Sequence, residues 1–229
     1  MIRLHTLAEG QTEEAFFNRI LRPHLANTGV YADVQLLSSK RRVTKRSSKG
    51  GWNSYVKAKQ HLKRWMSEDH GADCWYTTMV DLYAIPEDFP EFEACRKIVD
   101  PYERVEFLEL AFYNDVKSDG LFRFVPYIQL FEFEALIFAD PQKLDWEFLE
   151  HERQIAKLVE VSAQFETPEL INDRPTTAPS KRIIKEIPEY EFRKTSAGPL
   201  VADKIGLPRL RDRCPHFDKW LKRLEALGA

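Results

Sequence analysis

Apolar and polar positions divide the chain into a mixed strand-and-helix stretch followed by a helical one. Residues 2–8 form a short apolar run that predicts a buried strand stopping at Glu9. Phe16, Phe17, Ile20, Leu21 and Leu25 then recur at three- and four-residue steps, the spacing of one helix face, with Gly29 placed as a C-terminal stop. Pro23 lacks the backbone donor a regular helix needs, so it is expected to kink that helix or end its regular part. Residues 31–37 read as a second strand and 38–53 as a polar loop. A helix follows, carrying Tyr55, Ala58, Leu62, Trp65 and Met66 on one face. Residues 74–80, dense in aromatic and β-branched side chains, predict a third strand ending on Asp81. After a Pro-punctuated acidic loop come helices near 91–99 and 101–117, separated by Asp100-Pro101. Residues 122–130 suggest a fourth strand near a sheet edge, because Pro126 cannot donate to a ladder, and this strand runs into 131–136.

Strands separated by helical crossovers imply a mostly parallel sheet with helices on its faces. Beyond Asp140-Pro141 strand signals fade, and 143–163, 180–187, 199–205 and 215–227 read as helices around a loop at 172–179. The expected class is α/β, a mostly parallel four-stranded sheet flanked by helices, over residues 1–140. A helical C-terminal part, residues 141–229, is expected to pack on it.

Composition narrows this little. The 229 residues are 43% hydrophobic and 31% charged with a net charge of −2, as in ordinary globular proteins. Cys74, Cys95 and Cys214 have neither disulfide-framework nor zinc-motif spacing, which favours a reducing, cytoplasmic setting. No signal peptide and no apolar run of membrane-spanning length is found, so no membrane partner is expected.

Charge placement changes the picture. In open parallel sheets ligands bind beyond the carboxyl ends of the strands. Glu9 follows the first predicted strand, Asp81 the third, and Glu132 and Glu134 the fourth. Hard carboxylate ligands on rigid strand ends suit Mg2+ or Mn2+, and such a cation serves phosphodiester displacement. Glu13, one turn into the first helix, is a further candidate ligand. Glu13 and Glu14 also fit the simpler role of complementing a helix dipole. If 131–136 is extended, Glu132 and Glu134 share a face; if it is helical, they diverge.

Between positions 40 and 64 lie ten basic residues and no acidic one. Lys40, Arg41, Arg42, Lys45, Arg46 and Lys49 form its loop half, and Trp52 and Tyr55 are interleaved. That mixture suits phosphate contact with base stacking, and equally a solvated surface. Ser180 looks like an N-cap, which puts Lys181 and Arg182 at a helix start facing a phosphate or an acidic site, or pairing with Glu186 or Asp173. His5 and His216 read as structural.

Several motifs then appear in a specific order. They are Leu7-Ala8-Glu9-Gly10-Gln11-Thr12-Glu13, Met79-Val80-Asp81-Leu82-Tyr83, Gln129-Leu130-Phe131-Glu132-Phe133-Glu134-Ala135-Leu136, Pro179-Ser180-Lys181-Arg182 and Cys214-Pro215-His216-Phe217. Together, over nearly the whole chain, they resemble the bacterial family catalogued as domain of unknown function 4276. That family looks Toprim-like, related to the topoisomerase–primase fold of overcoming-lysogenisation-defect nucleases, and is often encoded beside an ATPase in phage-defence operons. The resemblance implies a Toprim-like fold in which Glu9 matches the Toprim glutamate and Asp81 the first acid of its Asp-x-Asp motif. Tyr83 stands where the motif has its second Asp, leaving Glu132 or Glu134 to compensate, and Phe131 replaces a His of many relatives. The implied activity is a Mg2+- or Mn2+-dependent nuclease on DNA or RNA, working with an ATPase partner. Glu9, Asp81 and Lys181 would be catalytic, with Glu9, Glu13, Asp81, Glu132 and Glu134 as metal ligands. Arg182 would join the loop cations on nucleic acid. The alternative is a non-catalytic subunit that binds nucleic acid or the ATPase.

Overall fold

In the computed structural model, which describes residues 1–37, 54–172 and 176–229, the predicted strands build one parallel sheet. Strand β1 (Ile2–Ala8) pairs with β2 (Val30–Leu36) on one side and β3 (Cys74–Asp81) on the other. The predicted fourth strand is broken into β4 (Phe124–Val125) and β5 (Ile128–Gln129), both parallel to β3 and in the same register on either side of Pro126. The break is patched by a side chain. Tyr127 donates its N–H to Thr78 Oγ1 (2.9 Å), which returns its own proton to the Tyr127 carbonyl (3.0 Å).

Alternating side chains send two apolar sets to opposite faces. Leu7, Cys74, Tyr76, Val80, Phe124 and Ile128 pack under helices α3 (Tyr55–Glu68), α4 (Phe92–Cys95) and α5 (Pro101–Ser118). Helix α5 starts on Asp100, whose carboxylate accepts the Glu103 N–H (2.9 Å), with Pro101 at its first position. Leu4, Val30, Ala32, Met79, Val125 and Tyr127 face the other layer. That layer holds α1 (Gln11–Phe16), a π-helical segment Phe17–Leu21 and α2 (Arg22–Ala26). The widened turns end where Pro23 enters, the irregularity its missing donor predicts. Gly29, at φ +80°, stops the helix as expected.

The same apolar cluster continues into the C-terminal helices, so one core joins elements on both sides of residue 140. The helices there differ from the periodicity reading. The predicted helix 143–163 is two pieces, a 3-10 segment Pro141–Trp146 and α6 (Glu152–Ser162), with Glu150 at φ +63° in the turn between them. Helix α7 (Pro179–Glu186) matches expectation. Helix α8 (Tyr190–Ile205) begins well before the Gly198-Pro199 pair that sequence places at its start. Helix α9 (Leu207–Arg213) was not foreseen, and α10 (Pro215–Glu225) closes the chain before a short 3-10 turn. The helix expected near 91–99 shrinks to the single turn of α4, entered through Glu91 at φ +60°. Among the described residues, no helix is long and apolar enough to cross a membrane.

Helix α10 is fastened to the sheet by Trp220, stacked on Tyr127 (4.2 Å between ring centres), its indole N–H on Thr77 Oγ1 (2.9 Å). His216 is structural, as read from sequence. Its ring lies 3.0 Å from Glu109 Oε1 and stacks on Tyr127. The first N–H groups of α10 are met by the fully buried Glu169, which accepts from His216 and Phe217 (3.0 Å each) and from the Tyr102 hydroxyl (3.1 Å). Glu169→Ala orphans two buried donors and is expected to cost on the order of 3 kcal/mol, read as a drop in the denaturation midpoint. Glu169→Gln, which keeps an acceptor, is expected to lose much less.

Candidate functional site

Strand order reverses between β1 and β3, because the chain leaves β1 toward β2 and leaves β3 toward β4. At such a switch point the two exit loops diverge and open a crevice beyond the carboxyl ends of the strands. Glu9 and Asp81 are the first residue after β1 and the last of β3. They are tied together there. The Glu9 N–H donates to the Met79 carbonyl (3.0 Å), and Glu9 Oε2 accepts the Asp81 N–H (2.9 Å).

Three more carboxylates, one from α1 and two from the stretch after β5, meet this pair. Glu13 turns back from the first turn of α1 and accepts the Gly10 N–H (2.9 Å), so it fills the capping role weighed for it while adding charge. Glu132 is extended and Glu134 lies in the first turn of a 3-10 helix, Phe133–Ala139. That geometry sits between the two alternatives read from sequence, and neither carboxylate is left to solvent. Both oxygens of Glu132 are taken by Ser180, from its N–H (2.6 Å) and its hydroxyl (3.0 Å). Glu134 is buried beside the Tyr190 hydroxyl (3.3 Å) and the Lys194 Nζ (3.5 Å). Phe131, at φ +63°, makes the turn that leads into Glu132, and its carbonyl accepts the Tyr83 N–H (3.0 Å). A bulky side chain in the left-handed region is strained, a state found where a site over-determines the backbone.

Burial and crowded negative charge together raise the carboxyls of Glu9, Glu13, Asp81 and Glu134. Burial first, then the charges of Glu134 and Glu132, push Glu9 up to about 7, against the opposing hydrogen bond from Asp81. Glu13 rises to about 7 through burial and the Glu9 charge. Glu134 rises to about 7 through burial and Glu132, with Lys194 working the other way. Asp81 is raised well above the usual carboxylate range, by burial and then by Glu9, Glu13 and Glu134. Its Oδ1 is sealed from solvent and, among the described residues, has no hydrogen-bond partner. A lone pair left bare in such a place is costly.

The basic residues divide differently. Lys40, Arg41, Arg42, Lys45, Arg46, Lys49, Trp52 and Asp173 lie outside the described residues. Tyr55, read as a stacking ring, is a core residue between Phe89 and Phe112 with its hydroxyl on Asp115. Lys59 is held by Asp115 (2.6 Å) and Asp119 (3.0 Å), and Lys63 by Asp119 (3.3 Å), so this part of the basic stretch is spent on intramolecular pairs. Ser180 is not the N-cap of α7; Ala178 is, and Ser180 instead anchors Glu132. Lys181 is exposed. Arg182 donates to the Thr177 carbonyl (2.7 Å) and covers the Phe165 ring, while Glu186 pairs with Lys157 (2.8 Å).

Sequence reasoning missed Tyr190 and Lys194. Both ride on the part of α8 that was not foreseen, and Gly198 lets that helix come close. A Cβ on Gly198 would sit 3.1 Å from the Phe133 ring and 3.2 Å from the Tyr190 hydroxyl. The four-residue step from Tyr190 to Lys194, one helix face, was the available signal.

A family model described as a domain of unknown function (DUF4276) matches residues 8–225. No curated protein matches. Among solved structures, the C-terminal region of the Burkholderia pseudomallei OLD protein is similar at 15% identity and a TM-score of 0.47, over 99% of this chain and 98% of that one.

Proposed function

The chain belongs to the family described as domain of unknown function (DUF4276), and from that premise we propose that it is a Toprim-like, divalent-metal-dependent nuclease cleaving phosphodiester bonds of DNA or RNA. The observation that carries this reading is the switch-point cluster itself, in which Asp81 Oδ1 has no hydrogen-bond partner among the described residues. A structural role would leave these acids paired. Here, among the described residues, the ion pair found in the cluster is Lys194 with Glu134, and three of the five carboxylates are held near 7.

The donor set fits Mg2+ or Mn2+, being all carboxylate oxygen with no nitrogen or sulfur. Glu9, Asp81 and Glu134 would hold the cation, with Glu13 and Glu132 adding charge behind them. When bound, it supplies charge stabilisation at the phosphate. The chain's own groups do the rest. The Asp81 N–H holds Glu9 Oε2, leaving Oε1 to take a proton from the attacking water, a task suited to a carboxyl poised near 7. Ser180 keeps Glu132 turned into the crevice, and Lys194 balances charge beside Glu134. Lys181 is assigned the phosphate contact, and Arg182 with the 40–49 cations the nucleic-acid backbone. By the family resemblance, the physiological setting is bacterial anti-phage defence alongside an ATPase, in the cytoplasm.

The test is incubation of the full chain with single- and double-stranded DNA and RNA in Mg2+, Mn2+ or chelator. Cleavage that requires the cation is expected, and cleavage indifferent to chelator would overturn the assignment. Tyr83 favours a second reading. It fills the position of the second motif acid with a half-exposed ring packed 5.6 Å from Phe131. A subunit that only binds would give salt-sensitive, chelator-independent retention of nucleic acid and no cleavage.

A further inference from the structure

A second cluster sits at the opposite end of β3, about 23 Å from Asp81 at about 3.3 Å per residue. The parallel register places Arg3 against Cys74, and His5 against both Asp33 and Tyr76, so Arg3, His5, Cys74 and Tyr76 share the sheet face under α3. Asp69 caps the end of that helix. His5, Asp69 and Cys74 each offer one ligand atom, a nitrogen, an oxygen and a sulfur, within 4.8 Å of one another. His5 and Cys74 are buried, and Asp69 and Cys74 border a cavity of about 320 Å3 that Met66, His70 and Leu121 also line.

We propose that His5, Asp69 and Cys74 form a Zn2+ site, distinct from the acidic crevice, that pins the end of α3 to β1 and β3. The donor types decide the metal. Mixed nitrogen, oxygen and thiolate ligands select Zn2+, as an all-carboxylate set selects Mg2+. The arrangement around His5 supports the assignment. Its Nε2 lies 3.0 Å from Asp69 Oδ2, on the ligand side, while its Nδ1 lies 2.8 Å from Asp33 Oδ1. A carboxylate behind a histidine fixes the tautomer and raises its basicity toward a metal. Arg3 bridges Asp69 and Asp73 and holds the same Asp69 oxygen, Oδ2, that faces His5, fixing where that carboxylate sits. The fourth position opens onto the cavity, where His70 or water is available. On binding, the Cys74 S–H bond breaks, a sulfur–zinc bond forms, and the proton leaves to solvent, as does any proton on His5 Nε2.

Co2+ is the probe, because a thiolate ligand gives it a near-ultraviolet charge-transfer band. A single equivalent added to the full chain is expected to produce that band, and Zn2+ to displace it. Cys74→Ser removes the band, and Asp33→Asn, which touches no metal, weakens Co2+ roughly 10–100-fold. Glu9→Gln and Asp81→Asn leave it unchanged, which separates this site from the acidic one. A band absent at stoichiometric Co2+, or persisting in Cys74→Ser with unchanged far-ultraviolet dichroism, overturns the site. That outcome makes the cluster an ion-pair network in which His5 bridges two carboxylates.

Discussion

Metal-free protein is expected to lose on the order of 10 °C in melting temperature between about pH 5 and about pH 8, and millimolar Mg2+ or Mn2+ to restore most of it. The sign follows from the raised carboxyls. Glu9, Glu13 and Glu134 titrate near 7 in the fold and near their ordinary 4.5 in the unfolded chain. Between those values the folded state holds protons that the unfolded state has released. Rising pH therefore favours unfolding across that window and levels off above it. Raising one isolated carboxyl from 4.5 to about 7 corresponds to roughly 3 kcal/mol. The three share charge with Asp81 and Glu132, so the loss for the set is on the order of 3–6 kcal/mol rather than three full increments.

His5 and His216, both raised by carboxylate partners against the pull of burial, lose stabilisation in the same direction as pH rises. The acid side has other owners. Asp73 is held down to about 2 by Arg3, and Asp88, Asp119, Asp218 and Glu225 are also depressed, so their contribution is lost only as pH falls through their lowered values. The stability optimum is expected near pH 5. Differential scanning calorimetry across pH, with and without cation, decides it. A melting temperature that stays flat or rises from pH 5 to pH 8 would contradict the picture of uncompensated charge in the crevice.

Removing one acid is expected to move stability and activity in opposite directions. Glu9→Gln keeps an oxygen for the Asp81 N–H but removes a charge that raises Asp81 and Glu13. Asp81→Asn removes the charge of a buried carboxylate whose Oδ1 has no hydrogen-bond partner among the described residues. Each metal-free variant is expected to be more stable than the parent at about pH 7.5, by on the order of 1–3 kcal/mol, with a shallower pH dependence. In the same variants, cation-dependent cleavage is expected to fall by on the order of 100-fold or more, the scale of losing one fixed electrostatic contact to developing charge. The thermal shift produced by Mn2+ shrinks with it. Denaturant titration beside a cleavage assay reads both. Variants that cleave like the parent would sink the catalytic assignment, and variants that are merely destabilised would make these acids ordinary structural groups.

The two ends of the crevice were legible in the sequence for a local reason. A strand's apolar run has to stop, and an acid at the stop points to the sheet edge whatever else the chain does. Glu9 and Asp81 satisfied that rule, as did β1, β2 and β3 within a residue or so. Glu132 and Glu134 were placed on the right segment, but their relation could not be read, since it depends on Phe131 taking a left-handed conformation that no local propensity favours. The same limit hid the long α8. Gly198-Pro199 carries the local marks of a helix start, yet packing of Tyr190, Ala197 and Val201 into the core carries the helix straight through it.

By itself, then, the sequence determined the parallel α/β order, the acids at the strand ends and the family, because hydrophobic period and motif order are properties of neighbours along the chain. Only the tertiary structure decided which charges share a space. It brought Glu13, Glu132 and Glu134 against Glu9 and Asp81, gave Ser180 to Glu132 and Lys194 to Glu134, buried Tyr55, and tied Lys59 to Asp115 and Asp119. Coulomb energies and desolvation depend on distance and depth, and both are set by how helices from the far end of the chain close over the sheet.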